Sequence, residues 1–303
     1  MISLQPSSTT LPTRPAATGG TADIGCLNVS CPDQPGIVAK LTHLLGVHGA
    51  NIVSLDQFTT GPENGTLYQR TVFHLPGFAA KRETLEADIQ AKLADPQQME
   101  WKLTDTSKRK RVAIFASKTD HCLLDLLWRH RRGEIPMDVV MVISNHPDLA
   151  DQVRPFDIPY FYVPVSGDKE DAERRHLELL SGNVDLVVLA RYMQIISADF
   201  LDEVQVPVIN IHHSFLPAFI GAGPYQKAKD RGVKLIGATA HYVTKDLDEG
   251  PIIEQDVIRV SHRESTPELM RSGADVERSV LSRAVTWHCQ GRVMRDGNTT
   301  IVF

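Results

Sequence analysis

The stretch that decides the fold reads Val208-Ile209-Asn210-Ile211-His212-His213-Ser214-Phe215-Leu216-Pro217. Its first residues are mainly β-branched and apolar, as in a buried strand, and its later residues end at a proline, as where a strand passes into a loop. Because side chains alternate along a strand, Asn210 and His212 should share one face, while Ile211 and His213 should face away. The stretch therefore predicts a buried strand whose carboxyl end presents an amide beside an imidazole.

Four further β-rich runs precede this strand and are separated by helical stretches, at residues 112–116, 139–143, 160–163 and 186–190. This alternation is typical of a parallel sheet with helices on both faces. After Pro224 we expect a short helix, strands at 234–244 and 252–260, a long helix from about Pro267 and a last strand that ends at Phe303. Residues 112–303 are thus predicted to form a doubly wound, mostly parallel α/β domain, which binds ligands at the carboxyl edge of its sheet.

The amino-terminal part has a different pattern, with strands predicted at 24–30, 51–60, 66–75 and 99–104 and helices at 35–48 and 81–93. This βαββαβ order predicts a ferredoxin-like domain over residues 22–104. Residues 105–111 are charged and lack apolar side chains, which favours a solvated linker. Residues 1–21 carry one charged side chain, Arg14, and are mostly Ser, Thr, Pro, Ala and Gly, so they are expected to be a disordered tail.

The composition disfavours several classes of partner. The chain has 303 residues, a formal net charge of −5 and a pI near 6.2, so it offers no overall basic field for a nucleic acid. Its apolar runs fall well short of the roughly 20 residues that span a bilayer, and no membrane partner is expected. The four cysteines show neither disulfide spacing nor a secretory signal before them. They are expected to be packed thiols in a cytoplasmic protein.

The pair Asn210 and His212 suits chemistry at a carbonyl group. An amide N–H can hydrogen-bond a developing oxyanion, and a histidine can stabilise the same charge or move a proton. Two polar residues that merely cap a strand end would explain the pair equally well. A metal site is disfavoured, because His212 and His213 should face opposite ways and no third ligand has suitable spacing.

A second polar cluster lies in the loop between the two long strands, where Asp246, Asp248 and Glu249 stand close together. Repulsion among them, or burial of one, would raise a carboxylate pKa and make that residue a candidate base for a water molecule. A solvated acidic turn is the alternative.

Longer motifs around these residues resemble the folate-dependent formyltransferase family. The resemblance rests on Ile209-Asn210-Ile211-His212, Ala240-His241-Tyr242-Val243, Leu247-Asp248-Glu249-Gly250-Pro251-Ile252-Ile253 and Leu189-Ala190-Arg191-Tyr192-Met193-Gln194-Ile195-Ile196-Ser197. It implies that Asn210, His212 and Asp248 are catalytic. It also implies a folate-binding wall made of Met193, Gln194, Ile195, Ile196, His241, Thr244, Lys245, Asp246 and Leu247. By periodicity alone, Met193, Ile195 and Ile196 would be core residues. The resemblance implies no metal and no permanently bound cofactor.

The amino-terminal domain resembles the ACT family in Cys31-Pro32-Asp33-Gln34-Pro35-Gly36-Ile37-Val38 and in Gly49-Ala50-Asn51-Ile52. ACT domains bind small effectors, usually amino acids, which implies an effector site at Asp33, Gly36 and Asn51, with glycine or methionine as candidate ligands. A unit that only pairs subunits, without a ligand, is an equal alternative. Either way the resemblance implies a homo-oligomer.

The domain order resembles a hydrolytic branch of the formyltransferase family. It implies hydrolysis of 10-formyltetrahydrofolate to tetrahydrofolate and formate, which would balance one-carbon folate pools and supply formate for purine biosynthesis. The alternatives are formyl transfer to an amine acceptor and an amino-acid sensor with an inactive catalytic domain. Phe115 is followed by Ala116-Ser117-Lys118-Thr119-Asp120-His121, without glycine, so a phosphate cradle for a phosphorylated acceptor is not expected.

Overall fold

A computed structural model describes residues 23–165, 169–218 and 223–303 of the chain. The predicted tail, residues 1–21, lies outside the described residues. Among the helices of these three ranges, none is long and apolar enough to cross a lipid bilayer.

The amino-terminal elements confirm the predicted βαββαβ order. Strands β1 (Ile24–Pro32), β2 (Asn51–Thr59), β3 (Thr66–His74) and β4 (Glu100–Asp105) form an antiparallel sheet in the order β2-β3-β1-β4. Helix α1 spans Ile37–Val47, and α2 spans Phe78–Ile89 and continues through a π turn, Gln90–Ala94, into the short α3, Asp95–Gln97. Apolar residues of these helices pack with those of the sheet in one core, which includes Leu27, Leu41, Phe73 and Leu85.

The carboxyl-terminal elements alternate strands and helices as predicted. The strands are β5 (Lys110–Ala116), β6 (Met137–Ser144), β7 (Tyr160–Tyr162), β8 (Leu186–Leu189), β9 (Val208–His212), β10 (Leu235–Tyr242), β11 (Ile252–Arg259), β12 (Val293–Asp296) and β13 (Thr299–Val302). The helices are α4 (His121–Arg132), α5 (Ala150–Val153), α6 (Lys169–Leu180), α7 (Ala198–Val204), α8 (Pro224–Arg231) and α9 (Thr266–Cys289), with a 3₁₀ turn at Arg154–Phe156.

The second sheet explains where a ligand can bind. Its order is β11-β10-β9-β8-β5-β6-β7, in which β9, β8, β5, β6 and β7 run parallel and β10 and β11 are antiparallel to their neighbours. The chain moves outward from β5 to β7 and then returns to add β8 on the other side of β5. Between β5 and β8 the direction of winding therefore reverses, which opens a crevice at the carboxyl ends of these strands.

Two predictions of element bounds are wrong. Strand β5 begins at Lys110, within the predicted linker, because Arg111 forms a bidentate pair with Asp185, with Nη2 to Oδ1 at 2.9 Å and Nε to Oδ2 at 3.2 Å. The single last strand is a hairpin of β12 and β13, with its turn at Gly297, whose φ of 55° is in the left-handed region. The linker outside strands is thus limited to residues 106–109.

The two sheets are connected by hydrogen bonds at the carboxyl end of α9. Asn28 Nδ2 of β1 donates to the carbonyl oxygen of Gly291 at 2.8 Å, and Arg70 of β3 donates to the carbonyl oxygens of Gly291 and Gln290, each at 3.2 Å. Carbonyl groups at a helix end lack partners within the helix, so these donors satisfy groups that would otherwise need water.

Candidate active site

Strands β9 and β10 bring the first site residues together. Their antiparallel register places His241 opposite Asn210 and Thr239 opposite His212. Asp248 enters from the loop between β10 and β11, with a φ of 58°. A left-handed conformation is uncommon for a residue other than glycine, and aspartate is among those that adopt it most readily. The residues predicted to be catalytic from separate motifs therefore meet at one edge of the sheet.

His212 and Asp248 form a nearly buried pair. His212 Nδ1 lies 3.3 Å from Asp248 Oδ1, and the two side chains are 8% and 10% exposed. The hydrogen bond from His212 lowers the pKa of Asp248, although partial burial opposes this shift. Asp248 is therefore a carboxylate at neutral pH, and the other imidazole nitrogen, Nε2, is buried without a hydrogen-bond partner among the described residues. The predicted rise in a carboxylate pKa is wrong for Asp248, because a hydrogen bond to its charged form outweighs burial.

His241 orients the amide of Asn210. Its Nδ1 lies 3.0 Å from the carbonyl oxygen of Tyr242, which can only accept, so Nδ1 carries the proton. Its Nε2 can then accept from Asn210 Nδ2, at 3.3 Å. Burial lowers the pKa of His241, which keeps this neutral tautomer at neutral pH. The second N–H of the Asn210 amide is left for a ligand.

These residues line one cavity of about 350 Å³. Of the predicted folate wall, the cavity includes Met193, Gln194, Ile195, Ile196, His241, Thr244, Lys245 and Leu247. Met193, Ile195 and Leu247 are 56%, 59% and 57% exposed, so the reading of Met193 and Ile195 as core residues is wrong. Asp246 is exposed and lies outside the lining of the cavity. Its backbone carbonyl oxygen accepts a hydrogen bond from Thr244 Oγ1 at 3.1 Å, which closes the turn.

His213 lines the same cavity, so the prediction that it faces away is wrong. Strand β9 ends at His212, and the alternation of side chains does not extend past that residue. The ring of His213 packs beside that of His212, with centroids 5.3 Å apart. Burial, together with the charge of Arg191, lowers the pKa of His213 to about 4, so this imidazole is neutral at physiological pH.

Sequence patterns also missed a buried ionic group at the wall of the cavity. Glu277 of α9, 1% exposed, accepts hydrogen bonds from His121 Nε2 at 2.8 Å and from the Tyr225 hydroxyl at 2.6 Å. Arg191 Nε lies 3.5 Å from the same carboxylate. Although burial alone would raise it, the hydrogen bond from His121 and the charge of Arg191 hold the pKa of Glu277 below its usual value. The sequence does contain a signal for Glu277. It is a lone acid among apolar residues on the inner face of α9, which lie at 273, 276, 280, 281 and 284.

Part of this group, His121 and Glu277 with the neighbouring Cys122, has ligand atoms within 4.8 Å of one another. A cation is a poor fit there, because the Arg191 guanidinium already balances the Glu277 charge and because burial raises the pKa of the Cys122 thiol well above its usual value.

The predicted effector residues do not form one site within the chain. β1 and β2 both pair antiparallel with β3, and in that register Asn51 lies level with His74 and Ile24, whereas β1 ends at Pro32 opposite Thr66. Asp33 and Gly36 follow Pro32, at the other end of a sheet about 25 Å long. Helix α1 carries the chain back along the sheet before Asn51, which is why the two motifs separate.

Comparison with known proteins agrees with this architecture. A family profile described as formyl transferase matches residues 110–285, and one described as ACT domain matches residues 27–87. The chain is 61% identical over 283 residues to a formyltetrahydrofolate deformylase of Mycobacterium tuberculosis, which covers 93% of this chain and 91% of the relative. It is 50% identical to a Bacillus subtilis protein of the same name, with 94% and 95% covered.

Solved structures give the same result. A formyltetrahydrofolate deformylase from Pseudomonas syringae superposes with a TM-score of 0.85 at 44% identity, covering 92% of this chain and 94% of that one. A glycinamide ribonucleotide transformylase from Symbiobacterium toebii superposes with a TM-score of 0.62 at 28% identity and covers 64% of this chain and 94% of that one. The match to the deformylases thus spans both domains, and the chain belongs to the formyltetrahydrofolate deformylase family.

Proposed function

We propose that the chain hydrolyses 10-formyltetrahydrofolate to tetrahydrofolate and formate. The observation that carries this proposal is the convergence of Asn210, His212 and Asp248 on one cavity with an exposed apolar wall. The names of the relatives, similar to this chain over both domains, point to the same reaction.

In the proposed mechanism, Asp248 activates the attacking water. Its Oδ1 faces His212, which leaves Oδ2 to accept a hydrogen bond from water. As the water oxygen bonds to the formyl carbon, one of its protons passes to Asp248 and the carbonyl oxygen becomes an oxyanion.

Asn210 Nδ2–H and His212 Nε2–H, the latter on an imidazolium stabilised by Asp248, donate to that oxyanion. The proton held by Asp248 then moves to the folate nitrogen, and the carbon–nitrogen bond breaks. Formic acid leaves and ionises to formate.

The wall supports a folate ligand. Met193, Ile195 and Leu247 present apolar side chains to solvent at the cavity, where a flat heteroaromatic ring would cover them. Lys245 is an exposed cation at the same rim. We propose the lining residues of this wall, without Asp246, as the folate contacts.

Release of formate from 10-formyltetrahydrofolate, with no amine present, tests the hydrolytic reaction against its alternatives. Stoichiometric formate and tetrahydrofolate are the expected products. A requirement for an amine acceptor would instead identify a formyltransferase, and the absence of any turnover would favour a sensor with an inactive domain.

We further propose that this reaction balances one-carbon folate pools and supplies formate for purine biosynthesis. Cells that lack the protein should then need purines unless formate is provided. Growth without either supplement would contradict the second part of this proposal.

For the ACT domain we propose an amino-acid site at the turn of Asp33 and Gly36, where α1 begins without a side-chain cap. Free backbone N–H groups there suit a carboxylate. Glycine and methionine are the ligands to test by calorimetry. If neither binds and neither changes the kinetics, the domain serves assembly.

We propose a homo-oligomer whose subunits pair through the ACT sheet, formed by β1 to β4. β2 is an edge strand and exposes Val53, Leu55 and Phe58, at 60%, 36% and 48%. Exposed apolar edge strands are ready templates for pairing with another chain. Light scattering should show an oligomer that Phe58→Glu disrupts.

We propose two domains, residues 22–104 and 112–303, joined by the segment 105–111, of which residues 106–109 lie outside strands. All four cysteines are free thiols, three of them buried. Reduced thiols are the usual state in the cytosol, which supports a cytoplasmic location.

A further inference from the structure

The guanidinium group of Arg191 is unusual in this site because its charge is balanced, whereas two of its three nitrogens form no hydrogen bond with the described residues. The side chain is 11% exposed, and it lines the cavity that holds Asn210, His212 and Asp248. Its Nε and Nη1 are buried and have no hydrogen-bond partner among the described residues. A buried donor without a partner costs free energy, so such a group favours a ligand that offers acceptor oxygens.

Glu277 does not make those hydrogen bonds. Its Oε1 accepts from the Tyr225 hydroxyl at 2.6 Å and its Oε2 accepts from His121 Nε2 at 2.8 Å. Arg191 Nε lies 3.5 Å from Oε2, in the range of an ion pair without a hydrogen bond. Glu277 therefore neutralises Arg191 without making a hydrogen bond to it.

The backbone holds Arg191 at the switch point of the sheet. Ala190 N donates to the carbonyl oxygen of Phe115 at 2.8 Å, and Met193 N donates to Ser117 Oγ at 2.9 Å, so the segment after β8 is fastened across the end of β5. Between these two contacts Arg191 adopts a φ of 63°, which a β-carbon makes unfavourable. Such backbone strain persists where the surrounding structure determines it, and it is concentrated at functional sites.

We propose that Arg191 binds the formate produced by hydrolysis. This inference rests on the proposed function. The two terminal nitrogens of a guanidinium group, Nη1 and Nη2, can donate two parallel hydrogen bonds that match the two oxygens of a carboxylate, and formate is the smallest carboxylate. Burial and the charge of Arg191 keep the neighbouring His213 neutral, so of these two cavity residues Arg191 carries the positive charge. Formate thus leaves the tetrahedral centre for a site within the same cavity.

Binding of [¹³C]formate to the folate-free protein, at constant ionic strength set with sodium chloride, tests the proposal by line broadening in NMR. Because formate has three non-hydrogen atoms, the wild-type dissociation constant should be about millimolar. Arg191→Met, which keeps the length of the side chain and removes its donors, should weaken binding about tenfold or more. Unchanged binding by a folded Arg191→Met protein would overturn the proposal.

Glu277→Gln supplies a second, opposite expectation. The amide keeps an oxygen and an N–H for Tyr225 and His121 but removes the charge that competes for Arg191, so formate should bind more tightly than in the wild type. Weaker binding in a folded Glu277→Gln protein would contradict the assignment, and this test stands even where Arg191→Met fails to fold.

Turnover separates this inference from the reaction itself. A wild-type protein that releases formate from 10-formyltetrahydrofolate but binds no added formate leaves the hydrolytic function intact and overturns the role of Arg191. A protein that binds formate through Arg191 yet releases none from the folate overturns the hydrolytic function alone.

Discussion

At the scale of single residues, the site depends on protonation states that neighbouring groups impose. His241 is held as one tautomer by the Tyr242 carbonyl, and this directs the Asn210 amide. Asp248 is held ionised by His212. Neither effect requires a metal ion or a distant charge, since both come from hydrogen bonds between adjacent strands and one loop.

Replacing Asn210 by alanine should remove one oxyanion donor while the folate wall stays intact. We expect turnover to fall by about 100-fold or more, in line with the loss of similar donors in other enzymes. The Michaelis constant should change little. Steady-state formate release measures both quantities, and Asp246→Asn, outside the cavity, is the matched control. Full activity in Asn210→Ala would contradict its role.

His176 supplies a prediction about pH. It is 1% exposed among Phe115, Tyr192 and Phe200, and burial lowers its pKa to about 4. Its folded pKa is below its unfolded value of about 6.5, so the unfolded chain binds more protons between these values and stability is lost as the pH falls through that window.

His176→Phe should therefore reduce the pH dependence of the free energy of unfolding between about pH 6.5 and pH 4, by about 2–3 kcal/mol at the acid end. Urea unfolding of the wild type and the variant at pH 7.5, 5.5 and 4.5 measures this. Parallel pH curves for the two proteins would show that His176 does not titrate as assigned.

At the scale of elements, the corner between β10 and β11 leaves no space for a side chain at Gly250. A β-carbon there would lie 1.8 Å from the backbone oxygen of Tyr242. Tyr242 N in turn donates to the carbonyl oxygen of Pro251 at 2.9 Å, so the two strands cannot separate without loss of this bond. The loop that carries Asp248 is thus fixed by close backbone contact.

Gly250→Ala should destabilise the protein by about 2 kcal/mol or more and lower activity, because the strands and Asp248 must shift. Gly46→Ala is the matched control, since its added methyl group meets nothing within 4 Å in an exposed position of α1. That control should be neutral or gain up to about 1 kcal/mol. Thermal unfolding measures the melting temperatures of both variants. Equal melting temperatures for Gly250→Ala and Gly46→Ala would contradict the expected clash.

At the scale of the whole molecule, few hydrogen bonds connect the ACT sheet to the catalytic part. Arg70 makes two of them, to the carbonyl oxygens that end α9, and Glu277 stands on the same helix. The helix α9 and the residues that follow it therefore contact both the ACT sheet and, through Glu277, Arg191 in the wall of the cavity.

Arg70→Ala should lower the free energy of unfolding by about 1–3 kcal/mol, because the carbonyl oxygens of Gly291 and Gln290 lose a charged donor. Chemical denaturation measures the change. Asp56→Asn is the control, since it removes the exposed ion partner of Arg70, at 3.7 Å, and keeps the contacts to α9. An equal decrease in the free energy of unfolding of Arg70→Ala and Asp56→Asn would show that the effect comes from the ion pair.

Much of the fold was predictable because it depends on local periodicity. The strands of both sheets, α1 and α9 were expected within a few residues of where they lie, since alternation and helical spacing are carried by adjacent side chains. The hairpin of β12 and β13 was missed although Asp296-Gly297 is a typical hairpin turn, because each of its strands is only four residues long. The motif of Asn51 was grouped with that of Gly36, although an intervening helix places them at opposite ends of the sheet.

The sequence by itself determined the two domains and their order, and it supplied the proposed catalytic trio, since those residues lie within short motifs that resemble a family. Only the tertiary structure decided that Met193 and Ile195 face the cavity, that His213 joins it, and that Glu277 neutralises Arg191. The physical reason is distance along the chain. Arg191 and Glu277 are far apart in sequence, and their charges meet only because β8 and α9 pack against the same sheet, which no local pattern encodes.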